Sequence, residues 1–385
     1  MRVMLVCPEP LGHGQPAGIG IRFLEIERVL RDDGHDVTLL SRDTGAFDPQ
    51  TLLRVSGQCD VAVVQGHVAN DFFAHARPIP TAVDLYDPFL IENLHYFATR
   101  GGEVYAHDHA TLMNSLERGD FFLCASEAQR QFYLGALLAV GRVNPLAFER
   151  DPTLKSLIAI APFGVPPWGT GTLACPDPNV LFGGIYDWYD PILAIEAVKL
   201  ARTSVPAMTL TYTTHPNPEL TPQGKTAAAM KHAKGLDFVR FEPWAGYAQR
   251  GAFYDRFAVA LLTFPQSIET DLAMRTRVYD YLWGGLPIVT SSAPGTDELL
   301  ARYGAGLIVE SDSPQTFAHA LLAALEQSER LRDGARRFTA DHQWPRVLQP
   351  LVGFVRAPRV DAQKEMPDRP PSILDRIRRR IGGRA

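Results

Sequence analysis

Short apolar runs alternate with helical patterns along this chain, and the alternation occurs twice, on either side of a stretch dense in proline and glycine. In the first unit the runs fall at 2–7, 37–40, 61–64, 81–84, 121–124 and 158–160. In the second they fall at 180–182, 208–212, 238–241, 258–263, 287–289 and 306–309. Most of these runs are short and apolar and read as strands set between helices. That alternation argues for a parallel sheet with helices packed on both sides. Residues 18–33 carry Ile21, Leu24, Val29 and Leu30 near a 3.6-residue period, as an amphipathic helix requires. In the second unit helical patterns lie at about 190–203, 221–234, 275–284, 296–302 and 314–335. The break at 162–178, APFGVPPWGTGTLACPDP with its leading alanine, supports no helix and reads as an interdomain linker.

At 385 residues there is room for two domains. The composition, 46% apolar and 21% charged, is that of a globular protein with a full core. A net charge of −5 gives no nucleic-acid footprint. The opening MRVMLVCPEP is too short an apolar run for a signal peptide or a membrane span. Cys7, Cys59, Cys124 and Cys175 are scattered without metal-ligand spacing, which argues for reduced thiols and a cytoplasmic setting.

Chemistry concentrates in 255–289, DRFAVALLTFPQSIETDLAMRTRVYDYLWGGLPIV. An apolar strand runs into a loop holding Glu269 and Asp271; Arg275 and Arg277 follow, then a helix carrying Asp280. Carboxylates accept hydrogen bonds from sugar hydroxyls, and guanidinium forks bind phosphate oxygens in pairs. Near the start, Gly18-Ile19-Gly20 lacks the tight turn and third glycine of a dinucleotide site.

The 255–289 segment resembles the donor-site signature of the GT-B glycosyltransferases of the family 4 type, and similarity at a low level extends over roughly 1–350. The resemblance implies an α/β fold of two Rossmann-like domains facing each other across a cleft. The first, acceptor-side domain spans 1–165 and the nucleotide-sugar domain 179–340; a closing helix follows at 341–356, then a mobile basic tail at 357–385. It also implies that the glycines of QPAGIGIRFLEIERVLRDDGHDVTLL, Gly18 and Gly20, approach the donor's phosphate or sugar, aided by the helix N-terminus. His67 in VVQGHVAND matches a histidine at a strand's carboxyl end facing the cleft, and Asp84 and Asp87 in AVDLYDPF are acceptor-side candidates.

In the second domain, NVLFGGIYDWYDPILAIEAV matches the strand–loop–helix that carries a phosphate-gripping Arg and Lys in the family. Here Gly184 stands in place of the Arg, and no Lys precedes Lys199. Arg275 and Arg277 are then the candidate phosphate clamp, with Gly183 and Gly184 offering main-chain amides and Tyr186 beside them. The family's paired glutamates, spaced E-x7-E, are stretched to Glu269 and Asp280 with ten residues between them. Asp280 is assigned to the ribose and Glu269 or Asp271 to the sugar; Trp244 and Tyr247 are candidates for the base pocket.

The activity implied is transfer of a sugar from a nucleotide diphosphate sugar to a hydroxyl acceptor, with retention and without a metal or other cofactor. Three alternatives remain: a noncatalytic sugar-nucleotide- or glycan-binding partner, a nucleotide-sugar epimerase and, more distantly, a dehydrogenase. The tail from Met366 sums to +4 against −9 for the rest, and Ile373, Leu374, Ile377 and Ile381 share one helical face. A basic amphipathic stub at 372–384 suits peripheral contact with the inner face of the cell membrane and a lipid-linked glycan acceptor in surface polysaccharide assembly.

Overall fold

In a computed structural model, residues 1–12, 16–167, 177–214 and 223–361 are described. The basic tail from 362 and the middle of the linker, 168–176, lie outside them. The first domain contains β1 (Arg2–Val6), β2 (Asp36–Leu40), β3 (Val61–Gln65), β4 (Thr81–Asp84), β5 (Phe121–Cys124) and β6 (Ile158–Ile160). They form one parallel sheet in the order β2-β1-β3-β4-β5-β6. The second domain contains β7 (Asn179–Gly184), β8 (Thr209–Thr213), β9 (Val239–Glu242), β10 (Val259–Leu262), β11 (Ile288–Ser291) and β12 (Gly306–Val309). These also pair in parallel, in the order β12-β11-β10-β7-β8-β9.

Both sheets reverse their winding beside the first strand of the domain, between β1 and β3 and between β7 and β10. Such switch points open a crevice at the carboxyl ends of the strands, which is where ligands bind in open α/β sheets. Central strands β1, β3, β5 and β10 are buried on both faces, as their unbroken apolar runs require. The helical pattern at 314–335 resolves into two helices, Pro314–Glu326 and Ser328–Asp341, separated at Gln327.

The chain crosses between domains twice, and the crossings run side by side. Val165, on the first, donates its amide to the carbonyl of His342 at 2.8 Å, and Trp344 donates back to Val165 at 3.2 Å. The Trp344 indole is fully buried and packs edge-on against Phe163, with 4.7 Å between ring centroids. Beyond it, helix Gln349–Arg356 lies on the first domain, where Phe354 stacks on Phe121 and Arg356 pairs with Asp33. Asp361 then accepts from the buried Arg142 at 2.7 Å and donates its amide to Asp120. The closing segment expected at 341–356 thus returns to the first domain as two short helices, Trp344–Val347 and Gln349–Arg356.

Candidate active site

Between the domains lies a cleft of about 670 Å3. Loops after β1, β3 and β4 line it on one side; loops after β7 and β10 and the start of helix Thr276–Trp283 line the other.

On the first wall, β1 ends at Val6 and the chain presents Pro8 and Glu9 to the cleft. Helix Gly18–Asp32 has no side-chain cap from its own N-cap residue, Ala17. Glu9 serves instead, its carboxylate accepting from the Ala17 amide at 3.1 Å. Burial pushes the Glu9 carboxyl up to about 7, opposed by the amides of Gly20, Ala17 and Ile19. A Cβ on Gly20 would stand 2.6 Å from Glu9 Oε2 and 2.7 Å from Pro16 Cβ, so glycine there makes room for the carboxylate. Gly18 lines the cleft, and Gly20 packs behind it against Glu9.

His67, just past β3, lines the same wall, with its ring 4.3 Å from that of Phe89 and its Nε2 3.6 Å from Asp87. Asp87 lines it too, beside Glu92, which burial and the neighbouring Asp87 charge push well above the usual carboxylate range. Asp84 is not at this surface. It is wholly buried in a two-point ion pair with Arg22, at 2.6 and 3.0 Å, and Arg22 also donates to the carbonyls of Ala161 and Pro162. This fully dehydrated pair ties the first helix to β4 and the linker, so an acceptor-side role for Asp84 is corrected to a structural one.

On the second wall, β7 bulges between Leu181 and Gly183, and Gly183 takes φ +82°. Any Cβ at Gly183 would fall 2.3 Å from the Tyr281 hydroxyl, so the position is restricted to glycine by both conformation and space. The Phe182 carbonyl accepts from Tyr281 Oη at 2.8 Å and Arg277 Nη1 at 3.1 Å. Arg277 lies over the Tyr189 ring at 4.2 Å and the Tyr186 ring at 5.5 Å and faces the cleft. No carboxylate pairs with it among the described residues. Gly183, Gly184, Trp244, Arg277 and Asp280 meet around a side recess of about 40 Å3 that opens beside the main cleft.

Four of the residues given roles from the sequence, Arg275, Glu269, Asp271 and Tyr247, are placed differently here. Arg275 is spent on Glu269: both side chains are buried, Nη2 lies 2.7 Å from Oε2, and a second bond joins Nη1 to Oε1. The two candidates thus neutralise each other, Arg275 reaching the cleft edge and Glu269 standing behind it. Asp271 is exposed on helix Ile268–Leu272, outside the cleft lining. Tyr247 is a strut between domains, donating to Glu25 of the first helix at 3.0 Å and accepting from Trp344 Nε1 at 3.3 Å. Asp280 does line the cleft, paired with Arg250 at 2.6 Å, and Arg250 lies 5.0 Å from the Trp244 ring. Burial raises the Asp280 carboxyl, an effect the Arg250 charge opposes.

Sequence reasoning missed Glu9, Glu92, Trp188 and Arg250, all of which line the cleft. The available signal for Glu9 was its place directly after the first strand, at the edge where ligands gather. Trp188 follows β7 in the same way and stacks on Tyr186 at 4.9 Å.

No family model matches the sequence, and no curated protein matches it. Solved structures do. The Anabaena protein HepE, in complex with UDP-glucose, aligns with a TM-score of 0.65 at 12% identity over 93% of this chain and 100% of that one. Sucrose-phosphate synthase from Thermosynechococcus elongatus aligns at 0.62 and 13% identity, over 92% and 98%. WaaG, a glycosyltransferase involved in lipopolysaccharide biosynthesis, aligns at 0.62 and 16% identity, over 92% and 98%. At such identities the likeness speaks for architecture, and it spans both domains with the cleft between them. The chain has the GT-B fold of the glycosyltransferases it resembles.

Proposed function

We propose that this protein is a glycosyltransferase that moves a sugar from a nucleotide diphosphate sugar to a hydroxyl acceptor held in the cleft. The observation that carries this reading is the second wall. A positive-φ glycine, its neighbour Gly184 and a guanidinium with no carboxylate partner among the described residues converge on one recess. Main-chain amides and an arginine fork suit a diphosphate, and Trp244 beside Arg250 and Asp280 suits a nucleoside. Neighbours of the same fold solved with UDP or UDP-glucose support the donor class.

In this reading Arg277 neutralises charge on the departing diphosphate, the type of preorganised stabilisation that usually contributes most to a rate. His67 and Asp87 stand on the opposite wall, where the acceptor hydroxyl enters. Retention of configuration, independence from metal, and an acceptor belonging to surface polysaccharide assembly complete the proposal. Among the described residues no helix is long and apolar enough to cross a membrane, and the basic tail that would touch one lies outside them.

The test pairs calorimetry with a product assay over a panel of nucleoside diphosphate sugars, with and without glycan acceptors. Acceptor-dependent release of nucleoside diphosphate supports the proposal. Binding without turnover favours a noncatalytic partner, and donor conversion without acceptor favours an epimerase.

A further inference from the structure

The N-terminus of the first helix faces the cleft and is built to hold an anion, yet the protein supplies that anion itself. Glu9 lies across the helix start, accepting from the Ala17 amide at 3.1 Å, and the nearby amides of Gly20 and Ile19 favour its charged form. Gly20 is restricted in size for its sake, with Pro16 closing the other side. A helix start of this kind otherwise attracts phosphate through its unpaired amides and its dipole. With a carboxylate in the seat, a second anion meets like charge, and Asp87 adds to it from the loop after β4. A carboxylate has about four lone-pair sites. Those turned toward the cleft remain available to hydroxyl donors, and Glu9 lines the cavity.

We propose that Glu9 is a specificity-determining residue that bars phosphate from the first helix and binds a sugar hydroxyl in its place. The diphosphate is thereby assigned to the opposite wall, at Gly183, Gly184 and Arg277. The hydroxyl half of this inference rests on the glycosyltransferase reading; the exclusion of phosphate does not. The hydroxyl belongs either to the sugar being transferred or to the acceptor, and the kinetic arm of the test separates the two.

Two measurements on the full chain decide it. In the first, inorganic pyrophosphate is titrated calorimetrically at pH 8 into wild type, R277A, E9A and the E9A/R277A double variant, with folding checked by circular dichroism. R277A should lose pyrophosphate binding, and the double variant should recover it at least tenfold over R277A, because the vacated helix start becomes an anion site. A double variant no better than R277A overturns the exclusion. In the second, E9Q keeps a carbonyl oxygen for the amides and loses the charge. Its Michaelis constant should rise at least fivefold for the donor if the hydroxyl is the donor's, or for the acceptor if it is the acceptor's. Unchanged constants for both overturn hydroxyl binding. Absence of turnover with every sugar nucleotide refutes the glycosyltransferase reading and leaves the pyrophosphate result to stand alone.

Discussion

Arg275 and Glu269 form a buried, two-point ion pair at the edge of the cleft, with Nη2 2.7 Å from Oε2. The guanidinium also lies over the rings of Phe264 and Tyr189, so it is held on three sides. Its work is therefore to fix the loop that follows β10, which carries the chain toward Arg277.

The first prediction separates these two arginines by what they damage. Removing one partner of a buried pair strands the other charge and typically costs about 3–5 kcal/mol. R275A and E269A should each lose stability on that scale in chemical denaturation. The double variant R275M/E269L should lose much less, because no charge is left uncompensated.

Arg277 has no carboxylate partner to strand among the described residues, so its loss should appear in the rate. R277A is expected to reduce kcat by about 10²–10³-fold, the usual effect of deleting one preorganised donor. Its denaturation midpoint should move less than that of R275A. Wild-type turnover in R277A removes the residue from the mechanism.

The raised carboxyl of Glu9 makes a pH prediction. Its ordinary value of 4.5 is lifted to about 7 in the fold by burial. Between those values the folded state binds the extra proton, so stability falls as pH rises from about 4.5 to about 7. One unit is worth about 1.4 kcal/mol, which sets an upper limit of about 3.5 kcal/mol for this group. In E9Q the dependence between pH 5 and 7.5 should flatten, as read from urea midpoints at several pH values. An unchanged slope assigns the protonation elsewhere.

Tyr247 joins the second domain to Glu25 on the first and meets Trp344 on the returning chain. Y247F keeps the ring and deletes the hydroxyl, which should cost about 0.5–1.5 kcal/mol. It should also enlarge the radius of gyration in small-angle scattering, since a contact across the cleft is lost. Gln129 makes a second such contact, donating to Tyr86 and to Leu272 across the gap, and Q129A should act in the same direction.

Much of the fold could be read from local signals. Strands β4 and β5 fall where their apolar runs placed them, because a strand covered on both faces leaves an unbroken signature, and the edge strands β6 and β12 fall where theirs did as well. The second wall was partly legible for a similar reason. Gly183, Gly184 and Arg277 line one recess, and each lies within a short strand–loop or loop–helix unit. What could not be read was pairing across distance. Asp84 looked available until Arg22, 62 positions earlier, was found to occupy both its oxygens. Tyr247 looked like a base platform until Glu25, 222 positions away, took its hydroxyl. Glu9 carried no motif at all; its role comes from the amides of a helix that begins after a loop.

The two strands of chain that pass between the domains are bonded to each other at Val165, His342 and Trp344. A pair of threads stitched together fixes the spacing of the two domains at that seam, while Arg277 and His67 stand on facing walls of the cleft beyond it. A ligand gripped by both residues would therefore add a second tie between the domains, independent of their covalent links.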